Sequence, residues 1–275
     1  MTMLKQRVIT AVLLLCFFLA ALLWLPPAGW LLLTSLVGGL AAWEWGGLAR
    51  LAPAPRGLFA LFVAVACTGL GGVAGLAHSG PPTSIVLVVA YCASAAFWLG
   101  LAPLWLRHRW SLGSPLAALA LGVVVILPPA LALAHLRQIS PMLLLFAMSL
   151  VWIADIAAYF TGRAFGRHKL APAISPGKTW EGAAGAVAAV VVFGLAVAVF
   201  SGHGPEGAGR WVIGIVLLLM LTAISIVGDL FESLMKRQAG VKDSGAILPG
   251  HGGVLDRIDS LTSTLPLVGL VALWV

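Results

Sequence analysis

The chain alternates long apolar runs with short polar breaks along its whole length. Nine runs stand out, at about 8–25, 28–46, 57–77, 83–106, 115–136, 140–161, 182–202, 211–232 and 260–275. As a helix, a run of about 18 or more apolar residues crosses a hydrocarbon core roughly 30 Å thick. The last run rises only about 24 Å, so it predicts a short or tilted span, or one that leans on its neighbours. The first run follows Lys5 and Arg7 in the manner of a secretory leader. It is longer than the apolar core of a leader, and no small-x-small cleavage site precedes Pro26-Pro27. It is therefore expected to stay as a span. No polar stretch is long enough for a soluble domain. The pattern predicts an all-α, polytopic integral membrane helical bundle of about nine transmembrane helices, a single membrane domain over 1–275.

Composition agrees with this class. Only 9% of the 275 residues are charged and the mean hydropathy is +1.07, whereas a soluble domain carries about 25% charged residues. Cys16, Cys67 and Cys92 lie inside apolar runs without ligand spacing and read as small packing residues. The net charge of +7 would suggest nucleic acid in a soluble protein. Here the side of the membrane explains it, and no nucleic-acid partner is expected. With the amino terminus placed in the cytoplasm, fourteen of the sixteen Lys and Arg fall on the inner side: Lys5, Arg7, Arg50, Arg56, Arg107, Arg109, Arg163, Arg167, Lys169, Lys178, Lys236, Arg237, Lys242 and Arg257. Arg137 and Arg210 fall outside. Cytoplasmic loops of membrane proteins are enriched in these residues, and one missed span would scramble the alternation.

The acidic residues divide the chain differently. Seven of the nine, Asp155, Glu181, Asp229, Glu232, Asp243, Asp256 and Asp259, gather on or beside two inner loops at roughly 162–181 and 233–259. Residues 1–140 hold only Glu44 and read as scaffold helices without motifs, with a lipid-facing or dimer-forming surface expected there; residues 141–275 read as a catalytic half with two cytoplasmic loops. Acids near a membrane are costly and tend to be paired or functional.

Three blocks carry the chemistry. In 155–182, Ser175-Pro176-Gly177-Lys178-Thr179 reads as a phosphate-binding turn leading into a helix at Glu181, whose first N–H groups favour anions. A basic loop gripping lipid headgroups would also account for this block. In 228–237, Asp229, Glu232, Ser233 and Lys236 fall on one helical face. A solvated helix end with a Glu232–Lys236 pair accounts for the lysine but not for Asp229, which lies deeper in the apolar run. In 242–260, Asp256 and Asp259 are three apart, so a helix from about 254 would point both carboxylates the same way. Oxygen ligands without Cys or His partners suit Mg2+. Gly250, Gly252 and Gly253 let the backbone approach a phosphate, and Lys242 and Arg257 supply neutralising charge. His251, in a glycine turn, reads first as a turn hydrogen-bonder and second as a base.

These blocks resemble the signature of the phosphatidate cytidylyltransferase (CDP-diacylglycerol synthase) family. The resemblance runs through Ser233, Lys236-Arg237, Lys242-Asp243, Gly245, Leu248-Pro249, His251-Gly252-Gly253, Asp256-Arg257 and Asp259. Asp155, Tyr159, Gly162-Arg163, Ser175-Pro176, Lys178-Thr179 and Glu181-Gly182 are similar to the family as well. It implies a nucleotidyltransferase of phospholipid biosynthesis that converts CTP and phosphatidic acid to CDP-diacylglycerol and pyrophosphate. It further implies a metal centre of Mg2+, with K+ as a second candidate ion, on Asp229, Asp256 and Asp259 with Ser233 close by, and a homodimer among membrane lipids. On this reading Asp229, Lys242, Asp256 and Asp259 are the catalytic candidates. Ser175, Lys178, Thr179, Ser233, Lys236, Arg237, His251, Gly252, Gly253 and Arg257 are the substrate-binding candidates. The expected location is a bacterial inner membrane, with the amino terminus and the active site cytoplasmic. Two alternatives stand beside it: a CTP-dependent lipid or polyprenol kinase, and a cation-coupled transporter. The second would be expected to show repeats and acids near the bilayer midplane, and neither is evident.

Overall fold

The computed structural model describes residues 3–79, 85–202, 207–248 and 250–274, with backbone only for 3–7. The side chains of Lys5 and Arg7, Pro249 of the signature, residues 83–84 of the fourth run and Val275 of the ninth lie outside the described residues.

Among these residues there is one helical segment for each of the nine apolar runs. They are α1 (Met3–Trp24), α2 (Pro27–Leu48), α3 (Pro53–Val73), α4 (Ile85–His108), α5 (Pro115–Ile139), α6 (Pro141–Phe165), α7 (Trp180–Phe200), α8 (Ala208–Ala239) and α9 (Leu255–Ala272). Seven of them, α2 to α8, are long and apolar enough to cross a membrane, and the apolar part of α1, Val8–Trp24, is shorter. α9 opens with Asp256, Arg257 and Asp259, which leaves it the shortest apolar length. The chain is a polytopic, all-helical integral membrane protein.

Local chemistry sets the helix ends. Pro27, Pro53, Pro115 and Pro141 stand at the first position of their helices, where the missing N–H costs nothing and φ is already helical. Ser114, Ser140 and Thr179 cap α5, α6 and α7 by accepting from Ala117 N, Met142 N and Gly182 N. α8 stops at Gly240, which takes a left-handed φ of 78° and returns its N–H to the last turn.

The loop between α6 and α7 holds an element the sequence pattern does not predict. Lys169–Ala171 (β1) and Ser175–Thr179 (β2) form a small antiparallel hairpin, with Lys169 opposite Thr179 and Ala171 opposite Ser175. The stretch expected to be a phosphate-type turn is thus a strand, with its turn at 172–174. The hairpin is fastened at its base. Glu181 accepts from Arg167 N and His168 N and lies 2.7 Å from His168 Nδ1, while Trp180 N donates to His168 O.

Packing joins the two halves of the chain. At the hairpin end of the bundle Phe231 of α8 stacks on Trp45 of α2 and meets Phe97, Trp98 and Trp105 of α4 edge-on. At the far end Trp30, Leu31, Cys67, Leu87, Tyr91 and Leu131 form a second buried cluster. There Tyr91 Oη lies 3.3 Å from His135 Nδ1. α8 and α9 are seamed by small polar residues. Ser260 Oγ donates to Ser225 O and Ser263 Oγ to Ile224 O, and Gly228 leaves room for Ser263. Small side chains and interhelical hydrogen bonds are what hold helices together in lipid, where burial of apolar surface supplies little.

The last turn of α8 gathers the loops at the hairpin end. Gln238 Nε2 donates to Arg109 O and Trp110 O, and Arg50 Nη2 donates to Gln238 O. Arg237 Nε reaches Ile174 O in the hairpin, and Lys236 pairs with Asp256 at the start of α9. The loops after α2, α4, α6 and α8 therefore share one end of the bundle, as the alternation of charge requires. Arg137 is at the other end, where its guanidinium donates to Leu22 O and Leu25 O and closes α1. α8 has 32 residues, about 48 Å of helix against a hydrocarbon core of roughly 30 Å. Its loop-end turns thus extend past the apolar layer or the helix tilts.

Candidate active site

The face predicted on α8 is formed, and it works as two pairs. Asp229 Oδ1 accepts from Ser233 Oγ at 3.4 Å, and Asp229 Oδ2 lies 2.5 Å from Lys178 Nζ of the hairpin. One turn on, Lys236 Nζ lies 2.6 Å from Glu232 Oε2 and 2.7 Å from Asp256 Oδ1. Lys236 and Glu232 approach closely but off the line a hydrogen bond needs. Both Glu232 oxygens are buried without a donor in line.

Asp229 and Lys178 sit on the wall of a cleft of about 430 Å³ between α6, the hairpin, α7 and α8. Asp155, Tyr159, Gly162, Arg163, Ser175 and Thr179 line it with them, and Ala154, Ala158, Ala183, Ala186 and Ile226 give it apolar walls. Arg163 Nη1 donates to Tyr159 Oη at 3.1 Å at its rim. Exposed Tyr159, Phe160 and Trp180 flank it. The cleft joins a charged floor to a greasy wall, which is the shape needed by a ligand with a phosphate at one end and hydrocarbon at the other.

The 240–254 loop and the start of α9 supply the remaining candidates. The loop is closed by Leu248 N donating to Gly252 O and His251 N to Leu248 O. Gly252 has φ of 81°, a conformation that favours glycine. Asp256 and Asp259 do stand three apart on α9, yet their surroundings differ. Asp256 turns back over the loop, and its Oδ2 accepts from Ser244 N at 2.9 Å and Gly253 N at 2.8 Å, while Oδ1 takes Lys236. The Asp256 carboxylate, in the first turn of α9, thus folds back onto N–H groups of the preceding loop. Asp259 lies deeper and meets the fields of Asp229, Glu232 and Asp155, and its Oδ1 accepts from Ser260 N. Asp256 thus holds the loop, while Asp259 interacts electrostatically with the acids of α8 and α6.

The other predicted residues divide similarly. Ser175, Lys178 and Thr179 reach the cleft, with the Thr179 hydroxyl also capping α7. Arg237 is tied to the hairpin, and Arg257 donates twice to His251 O. Lys242 is exposed, while Gly252 and Gly253 lie over Asp256. Two residues that the predicted site leaves out are drawn in. Asp155 lines the cleft and interacts electrostatically with Asp229 and Lys178; its signal was an acid inside an apolar run. Glu44 of α2 is fully buried and reaches the signature loop. Its Oε2 accepts from Leu255 N at 2.8 Å and Ser244 Oγ at 3.0 Å, and its Oε1 from Val254 N at 3.0 Å.

The donor set suits a hard divalent cation. Asp229, Asp259, Asp155 and Glu232 offer carboxylate oxygens alone and interact electrostatically with one another, and Asp229 and Glu232 each lie beside a lysine. Among the described residues no three acidic, His or Cys side chains converge closely enough to enclose an ion.

Comparison with known proteins gives a consistent result. A model of the cytidylyltransferase family matches residues 5–274. The phosphatidate cytidylyltransferase of Pseudomonas aeruginosa is 42% identical, covering 99% of this chain and 97% of its own. That of Haemophilus influenzae is 40% identical, covering 96% of each chain. That of Brucella suis is 37% identical, covering 98% of this chain and 93% of its own.

Proposed function

This chain belongs to the cytidylyltransferase family, and from that premise we propose that it converts CTP and phosphatidic acid to CDP-diacylglycerol and pyrophosphate. A phosphate oxygen of the lipid attacks the α-phosphorus of CTP. The new O–P bond forms as the bond from the α-phosphorus to the bridging oxygen breaks, and pyrophosphate leaves with that electron pair. A phosphomonoester has a second pKa near about 6, so the nucleophile is already ionised at neutral pH and needs no strong base. The difficulty is that two anions must meet, and catalysis is then positioning and charge neutralisation.

The residues take roles that suit this task. Lys178 and Arg163 meet the incoming phosphates, and the apolar wall of alanines and Ile226 accepts the first carbons of the lipid. Asp229 and Asp259 would hold Mg2+, which would supply neutralisation of the phosphoryl oxygens, with K+ as a second ion of the same site. Lys236, Asp256 and Arg257 keep the loop in shape, and Lys242 stands free to meet the triphosphate. CTP enters from the cytosol, at the end that collects the basic loops, in the inner membrane of a bacterium. The protein acts as a homodimer among membrane lipids.

The observation that carries this reading is the meeting of Lys178 and Asp229, from two distant blocks, on the charged floor of a cleft with an apolar wall. The test is purified protein with CTP and phosphatidic acid, with and without Mg2+, scoring liponucleotide and pyrophosphate. CDP-diacylglycerol formed only with the metal is the expected result. A phosphorylated lipid with release of CDP would establish the kinase alternative instead. No turnover with any divalent metal, in protein that is folded and membrane-embedded, would overturn the reading.

A further inference from the structure

We propose that Glu44, on a helix of the half without motifs, is a positioning residue of the catalytic centre: it caps α9 and so sets where Asp256 and Asp259 stand. The proposal rests on the functional reading above for its effect on turnover, and on geometry alone for the clamp.

Glu44 is completely buried. An ionised carboxylate taken out of water is costly unless it is well hydrogen-bonded or paired. Among the described residues no Lys, Arg or His forms an ion pair with it; Arg56 contributes a field at longer range. Its compensation comes from α9. The residue preceding that helix, Val254, offers no side-chain cap, and the free N–H groups of Val254 and Leu255 point into the Glu44 carboxylate instead. A negative charge at a helix N-terminus is doubly favoured, by those N–H groups and by the helix dipole.

The clamp has a second jaw. Ser244 donates its hydroxyl to Glu44 and its N–H to Asp256. Gly253 donates to Asp256, and the next two N–H groups donate to Glu44. Two carboxylates on different helices thus share consecutive donors of one loop. The loop is shaped around Glu44: a Cβ at Gly245 or Gly253 would overlap its carboxylate. Any residue but glycine at either place must push Glu44 or the loop away. The register of α9 follows from where its first N–H groups are held, and Asp259 lies one turn further on. Catalytic geometry is sensitive to displacements of about 1 Å, so a local release at Val254 and Leu255 is expected to be felt at Asp259.

The test uses Glu44→Gln, which keeps the shape but offers one good acceptor where three donors converge, and Glu44→Asp, which keeps the charge. Hydrogen exchange of peptides spanning 244–256 reads the clamp without reference to activity. It should rise about tenfold or more in E44Q, the cost of losing a charged hydrogen-bond acceptor, and less in E44D. Turnover should fall by a similar factor, with the Mg2+ concentration for half-maximal rate raised and KM for CTP little changed. Gly253→Ala should reproduce E44Q, and the pair should be non-additive, since both break one unit. If E44Q does not accumulate in membranes, E44D and G253A carry the same comparison. Exchange and Mg2+ dependence equal to the parent, or a loss of thermal stability alone with unchanged turnover per folded molecule, would overturn the proposal. A parent protein that makes no liponucleotide would sink the functional reading, while the exchange result would still decide the clamp.

Discussion

The acidic residues of this protein differ less in kind than in what their oxygens are already doing. The Asp229 oxygens meet side chains alone, Lys178 and Ser233, and Asp259 accepts one backbone N–H at Oδ1, whereas Asp256 is tied to the loop backbone by two N–H groups as well as to Lys236. Asp229→Asn and Asp259→Asn are therefore expected to lower turnover about 100-fold or more, as loss of a metal ligand does, with thermal stability near that of the parent. Asp256→Asn is expected to lower both, because it weakens charged hydrogen bonds worth about 1.5–3 kcal/mol each. Turnover and melting temperature measured side by side separate the two classes. Lys236 stands between Glu232 and Asp256 with its side chain only 12% exposed. Lys236→Met leaves two largely buried acids without their cation, and breaking such a cluster costs about 3 kcal/mol. A marked fall in melting temperature in detergent is expected, and a stability equal to the parent would refute that assignment. The aspartates stood out in the sequence by their spacing, and the family resemblance supplied their expected role. The role of Glu44 could not be read: two of its three donors are backbone N–H groups about two hundred positions away, and backbone donors leave no mark in a sequence.

At the scale of elements, helices were legible and the hairpin was not. An unbroken apolar run of about twenty residues is a strong signal, and prolines and capping hydroxyls mark the ends. Strands of three and five residues are too short for an alternating pattern, and Ser-Pro-Gly reads as a turn. What makes the hairpin is its fastening, the acceptance by Glu181 of two successive N–H groups at its base. Glu181→Ala is expected to loosen residues 166–179 and so the placement of Lys178. Faster hydrogen exchange there, with KM for the lipid raised several-fold and the metal requirement unchanged, is the expected pattern. Unchanged exchange in 166–179 would show that the strand pairing suffices alone. The seam of α8 and α9 was equally hidden. Ser225, Ser260 and Ser263 look like weak polar interruptions of apolar runs until the two helices are laid together.

For the whole molecule, the distribution of lysine and arginine groups the loops after α2, α4, α6 and α8 together, and the structure brings these four to one end through the last turn of α8. Labelling with a membrane-impermeant thiol reagent checks the orientation. In a variant freed of Cys16, Cys67 and Cys92, Trp110→Cys and Pro176→Cys should be protected in intact cells and labelled after lysis. Arg210→Cys should be labelled in both. Labelling of the first two from outside would invert the assignment.

The excess length of α8 has a consequence for how the protein reads its surroundings. A rod of about 48 Å fixed into a slab of roughly 30 Å must protrude or lean, and the candidate site residues Asp229, Ser233 and Lys236 ride on its loop end. Turnover in vesicles of graded acyl-chain length is therefore expected to vary with bilayer thickness, through one lever tied to every loop at its end; a flat profile would show that the helix tilts freely instead.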